Sequence, residues 1–507
     1  MFDRFPNPIR LTILYIGLGL ARLGLIDRER ARRTTDLAWP RIVTGLARMS
    51  KNAVDVAMVG IALGPAAIAG VGFASPFWGL AFAIGGGVAG GTIALVSQRY
   101  GAGAFGELAQ AVRSSTALVV IASLPVVALF WHYPEELVSL ISNDQQAIEY
   151  GADYLRIVGL GIPFAGLNLI GSRVFVGIDD AWTPMVLRAG GAVANIVLNA
   201  VLIFGLDMGV VGAALGTVLA NAVVSTTFAI ALVTGRLPVV GSFPARIDPT
   251  GTYLHGETIR DLIRIGTPVM ARNLVWTMAE FPMLAIVDVF GQNTVAAYVI
   301  ARRIWGLMNV PGWGFGIATA SLVGQELGSG AEANAERYAR EIIRFAAVTY
   351  LVSAIIVFVF AEQIVSGFVG DPSDPSIPIA VSLVWAACFA VVFKGVDAAA
   401  GGALEASGDT NWIFYSQALG MFGCSIPIAY LGAVGLSIPV SVSLPYLGGV
   451  AVPLVGGFSI PALGITGLYL AFVAETAVPA AINYHRFATG KWKAISRAYR
   501  PDLSADD

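Results

Sequence analysis

Four polar side chains stand inside long apolar runs, where their burial needs a reason: Asp55, Asn195, Asn199 and Thr217. Ionisable groups within hydrocarbon are costly, and they are as a rule either functional or paired. Asp55 stands roughly eight residues before the outer end of its run, about 12 Å deep at 1.5 Å per residue. Asn195 and Asn199, one helical turn apart on a shared face, and Thr217, in the next run, count out to a similar depth. A carboxylate, two amide oxygens and a hydroxyl are the hard donors that a small cation prefers. Asp55 could instead take up a proton, because burial disfavours its charged form. The bland alternative is that these groups tie neighbouring helices together by hydrogen bonds. Lys51, four residues before Asp55, can reach it as an ion pair. Its ammonium would then either exclude sodium or be released when Asp55 is protonated, and the reading favours a proton over sodium.

A second polar set comprises Glu280, Arg302 and Arg303, whose similar depths predict a buried ion pair. Lys394 and Asp397 are spaced as an i, i+3 pair near a helix end. Trp78 and Trp305 recur at matching positions and are candidates to line a pocket for flat cations, though a repeated Trp is more often a packing element. No P-loop or metal-ligand spacing such as HExxH is found, and Cys388 and Cys424 lie singly in apolar blocks. The expectation is therefore no enzyme, no cofactor and no nucleic-acid partner; the only metal considered is sodium as a coupling ion.

The elements that must position these residues are membrane spans. Of 507 residues, 13% are charged and 56% hydrophobic, with mean hydropathy +0.74. That leaves too little charge to cover a water-exposed surface of this size, and the apolar runs have the length a helix needs to cross a bilayer. The reading is an all-α polytopic membrane protein of twelve transmembrane helices in two six-helix bundles. An N-terminal interfacial segment (1–36) precedes a first bundle (37–234), a linker (235–263), a second bundle (264–485) with an external, hairpin-like insertion near 435–457, and a tail (486–507). Arg28, Arg30, Arg32 and Arg33, then Arg236, Arg246 and Arg260, then Arg337 and Arg340 fall on one side. By the positive-inside rule that side is cytoplasmic, which puts both termini inside the cell membrane. A monomer surrounded by lipid and handling a small organic substrate is expected.

The two halves repeat. Residues 77–103, FWGLAFAIGGGVAGGTIALVSQRYGAG, align without gaps on 304–330, IWGLMNVPGWGFGIATASLVGQELGSG. Gln98 thereby matches Gln325, and Gly101 matches Gly328. Six spans per half make the repeat parallel, with its axis along the membrane normal, as in carriers that rock around a central cavity.

The run from Val310 to Gly328, its first-half counterpart LVSQRYGAG and the DVAMVGIALG run from Asp55 resemble signatures of multidrug and toxic-compound extrusion transporters. The resemblance covers roughly residues 36–485. It implies export of organic, often cationic, compounds against entering sodium ions or protons. In the DinF-like branch the positions matching Asp55, Asn195, Asn199 and Thr217 form the cation or proton site. Asn52 fits that pattern, and Pro40 resembles a first-helix kink tied to protonation. Asn199 departs from it, standing where that branch commonly has a second Asp. The NorM-like branch uses a Glu in span 7 and an Asp in span 10. Glu280 lies about a turn from the first and Lys394 occupies the second, so that site is not carried over. Two rivals remain. A lipid-linked oligosaccharide flippase would need a basic cavity, for which Arg48, Lys51, Arg302 and Arg303 are available. A membrane-embedded enzyme would need a nucleophile–base set, which the sequence does not offer.

Overall fold

Inside a bilayer no water satisfies backbone N–H and C=O groups, so a chain this apolar is confined to helices. The computed structural model describes residues 7–237, 241–243, 246–369, 373–440 and 456–501. In the first half run α1 (Pro8–Arg22), α2 (Arg28–Leu63), α3 (Pro65–Gly101), α4 (Phe105–His132), α5 (Pro134–Ser139), α6 (Gln145–Gly159), α7 (Ile162–Gly177), α8 (Trp182–Ala200) and α9 (Gly209–Thr234). A two-residue ladder of β1 (Arg236–Leu237) and β2 (Gly241–Ser242) follows. The second half holds α10 (Gly256–Asp288), α11 (Gln292–Gly328), α12 (Glu332–Val359), α13 (Ala361–Ser366), α14 (Ser376–Ser407), α15 (Asn411–Ala418) and α16 (Ile426–Val434). Strands β3 (Leu436–Val440) and β4 (Gly456–Ile460) pair antiparallel before α17 (Thr466–Ala488) and α18 (Lys491–Ser496).

The repeat extends to irregularities. The fifth rod of the first half continues from α8 through a π-helical turn at Val201–Gly205. Its counterpart joins α15 to α16 through another at Leu419–Ser425. The predicted fourth span is two helices, α6 and α7, bent by 51° around Leu160 and Gly161. Among the described residues, seven helices meet a length-and-apolarity criterion for crossing a membrane, or eight with that bent pair counted as one span. Helix α2 misses it because it carries Arg41, Arg48, Lys51 and Asp55.

Several boundaries differ from expectation. Helix α2 starts at Arg28 rather than 37, because the Asp27 carboxylate accepts from the amides of Glu29 and Arg30 and caps the helix early. Helix α10 starts at Gly256, inside the expected linker, capped by the His255 side chain. The insertion contributes a five-pair ladder from Leu436↔Ile460 to Val440↔Gly456, while residues 441–455 lie outside the described ones. Helix α1 lays Ile13, Gly17 and Leu20 inward against α2 and α12, with Gly17 facing Ala31 and Phe345.

At the end bearing the arginine-rich loops, α3 and α11 cross without side chains between them. A Cβ at Gly101 would collide with the backbone of Gln325, and one at Gly328 with the backbone of Gln98. Each glutamine then reaches into the other half: Gln98 Nε2 donates to the Ala406 carbonyl at 2.6 Å and Gln325 Nε2 to that of Gly177 at 3.2 Å. Ser321 Oγ adds a 2.6 Å bond to the Val176 carbonyl. The repeated LVSQRYG and LVGQELG motifs are thus the two sides of one closure.

Candidate functional site

On the far side of that closure, helices α2, α3, α6, α7, α8 and α9 enclose a cavity of about 480 Å³. The volume lies within the range of small-molecule pockets. Trp78, Phe82 and Val71 give it apolar wall, and Asp55, Asn195, Thr217 and Asn221 line one polar region.

The four residues predicted to converge do so, together with Lys51. Lys51 Nζ lies 2.6 Å from Asp55 Oδ2, and Asn199 Nδ2 donates to Asp55 Oδ1 at 2.9 Å. With the Asn195 amide oriented to satisfy its neighbours, its nitrogen also donates to Asp55 Oδ1 at 2.9 Å and its oxygen accepts from Thr217 at 3.2 Å. Both carboxylate oxygens of Asp55 therefore face N–H donors. Such a shell suits an anionic carboxylate and leaves no ring of oxygens around it for sodium. The pair is only partly exposed, with side-chain accessibilities of 18% and 16%, so salt screens it weakly. Asn52 lines the same cavity without joining the clamp. Pro40 sits buried within α2, which passes through it as one helix; Thr44 Oγ1 bonds the Pro40 carbonyl at 2.8 Å.

Sequence reading missed most of the basic charge beside this clamp. Arg41, Arg48 and Asp55 follow at seven-residue spacing along α2, with Thr44 and Lys51 between them, so a single polar stripe runs along the helix. Arg188 from α8 lines the cavity next to Arg48. Arg41 lies within electrostatic reach of Arg48, Arg173 and Arg188, and Arg173 within reach of Arg272 on α10. The seven-residue spacing was the signal available in α2. Arg173 and Arg188 offered none, since each is one isolated cation in its own span, and Arg272 stands two turns from the next arginine of α10, Arg264.

The second half corrects the expected pairing. Arg302 does not bond Glu280; its Nη1 lies 2.7 Å from Glu475 Oε1 on α17, and Glu280 and Arg303 are exposed. The reach favours Glu475 because Arg302 points into the bundle, over Trp305 (4.9 Å), Trp276 (5.4 Å), Phe472 (5.6 Å) and Tyr298 (5.9 Å). Trp305 is thus part of an internal cation's cage, whereas its repeat partner Trp78 lines the cavity. Lys394 and Asp397 do pair, at 2.7 Å, and Asn483 donates to the second Asp397 oxygen at 2.8 Å. Because Glu475 is 3% exposed and Arg302 16%, Glu475→Gln leaves a mostly buried guanidinium without its bonded carboxylate and should cost about 3 kcal/mol of stability. Thermal unfolding in detergent checks this: the single variant should melt well below wild type, and Arg302→Met/Glu475→Leu should recover most of the loss.

A polytopic all-α membrane protein with a pseudo-repeated closure on one side of an internal cavity is the class defined so far. The MatE family pattern matches this chain twice, over residues 40–201 and 268–431, and the chain belongs to that family. The two matches fall on the two halves already seen in the repeat. The chain is 24% identical over 403 residues to the probable multidrug resistance protein YoeA of Bacillus subtilis, covering 77% of this chain and 84% of that one. It is 27% identical to the multidrug resistance protein PmpM of Pseudomonas aeruginosa, covering 80% and 85%. Its fold is similar to that of a MOP-superfamily transporter from Pyrococcus furiosus for which reverse polarity of the binding pocket is taken to suggest a different function. That match has TM-score 0.78 at 22% identity and covers 92% and 96% of the two chains.

Proposed function

We propose that this chain exports amphipathic organic compounds by alternating access, exchanging them for entering protons, with Asp55 as the proton-binding group. Two six-helix lobes, near 37–234 and 264–485, would rock about the cavity in the cell membrane with both termini inside. Family membership and the multidrug resistance names of relatives such as YoeA and PmpM support export.

The observation that carries the choice of ion is the shell around Asp55. An ammonium and two amide N–H groups point at its oxygens, so a proton can replace Lys51 there, whereas sodium would need the amides reversed and the ammonium expelled. Protonation would break the Lys51 pair and weaken both amide bonds. It would thereby loosen α2 from α8 at the cavity wall. The position of this site favours the DinF-like branch, as does Lys394 where the other branch carries its second carboxylate.

The test is transport of a panel of fluorescent amphiphiles in proteoliposomes under an imposed proton or sodium gradient. Export driven by the proton gradient alone supports the reading. Export driven by sodium alone at constant pH contradicts the ion assignment.

A further inference from the structure

We infer that the compound carried by this cavity is an anion: an amphiphile bearing a carboxylate or phosphate group, held by the arginine cluster of α2, α7 and α8. The inference rests on the export reading and names the substrate class of the same cavity.

The charge count within reach is one-sided. Lys51 is neutralised by Asp55. That leaves Arg41, Arg48, Arg173, Arg188 and Arg272 facing one further carboxylate, Glu405, which lies within electrostatic reach of Arg173. Among the described residues, Arg41, Arg48, Arg173 and Arg188 have no carboxylate at salt-bridge distance. Three of their nitrogens are buried without any partner: Arg41 Nε, Arg173 Nε and Arg188 Nη1. Buried donors are normally satisfied, and orphaned ones call for a missing acceptor. Arg48 and Arg188 line the cavity itself, and with Arg41 and Arg173 in electrostatic reach and donors unspent they form a site for an oxyanion, which a planar N–H fork binds bidentately.

The apolar part of the ligand has a surface to lie on. Arg48 sits 5.3 Å from the Phe82 ring and 5.2 Å from that of Trp313, and Phe82 and Trp78 continue the cavity wall. The place where an organic cation would be at home is already taken. The cage of Trp276, Tyr298, Trp305 and Phe472 with the Glu475 carboxylate is filled by the protein's own Arg302. An anion leaving a negative cell interior also moves with the membrane potential, so the electrical and proton gradients act in the same direction.

The experiment compares carboxyfluorescein with a cationic rhodamine of the same xanthene skeleton in proteoliposomes holding the full chain, under proton and sodium gradients with a negative interior. A third arm follows labelled phosphatidylglycerol between leaflets, which separates a lipid headgroup from a free amphiphile as the source of the anion. Wild type should move an anionic probe at least tenfold faster than the rhodamine. Arg188→Gln should weaken anion binding about tenfold, while Arg188→Lys, which keeps the charge, should retain most of it. Rhodamine transport without carboxyfluorescein or phosphatidylglycerol transport would overturn the inference and leave the export reading standing. Movement of none of the three under any gradient would overturn both.

Discussion

Asp55→Asn should abolish proton-driven export, lowering the rate by at least tenfold. The substitution keeps the side chain's size, yet it removes the one cavity carboxylate held by Lys51, Asn199 and Asn195. It also strands the Lys51 ammonium in a partly buried site, so a loss of rate could arise simply from a destabilised fold. The double variant Asp55→Asn/Lys51→Met separates the two effects. Its stability should return towards wild type, because no unpaired charge remains, while transport stays lost, because nothing is left to protonate. Thermal unfolding and flux measured on the same preparations check this pair of outcomes. Recovery of transport in the double variant would make the clamp a structural tie and move the coupling elsewhere.

A comparable loss is expected from a single methyl group far from the cavity. In Gly328→Ala the new Cβ would fall on the backbone of Gln98, and in Gly101→Ala on that of Gln325. Backbone cannot swing aside as a side-chain tip can, so the closed arrangement of α3 and α11 is excluded sterically. Alternating access needs that closure once per cycle. Transport should therefore fall at least tenfold in either variant, while binding from the cytoplasmic side, measured in inside-out vesicles, persists. Normal flux in Gly328→Ala would mean that the crossing of α3 and α11 is not part of the working cycle.

How far the sequence carried depends on the kind of signal. The all-α membrane fold was legible because apolar runs of bilayer length admit few alternatives, and the repeat because Gln98, Gly101, Gln325 and Gly328 align without gaps. The convergence of Asp55, Asn195, Asn199 and Thr217 followed from depth counting, since rods of known rise run roughly antiparallel through a slab. Helix rotation is what depth counting cannot give. Glu280 and Arg302 share a level, yet Arg302 bonds Glu475 while Glu280 is within electrostatic reach of Arg302 without bonding it, and no polar break marked Glu475 in its own span. The arginine cluster was hidden for the same reason. Arg173 and Arg188 become neighbours of Arg41 only when α8 packs on α2 and α7 on α3 and α8, a tertiary fact without local pattern. Helix starts were displaced where a cap overrode hydropathy, as Asp27 does for α2.

The central claim is that the organic compound leaves as a proton enters at Asp55, and simultaneous measurement of the two fluxes tests it most directly. Proteoliposomes carry the fluorescent amphiphile that wild type moves best and a pH indicator in their lumen, with sodium absent throughout. Amphiphile exit should be accompanied by lumenal acidification in wild type, and both should vanish together in Asp55→Asn. Amphiphile exit with no proton movement in wild type, or undiminished proton entry in Asp55→Asn, would contradict that claim.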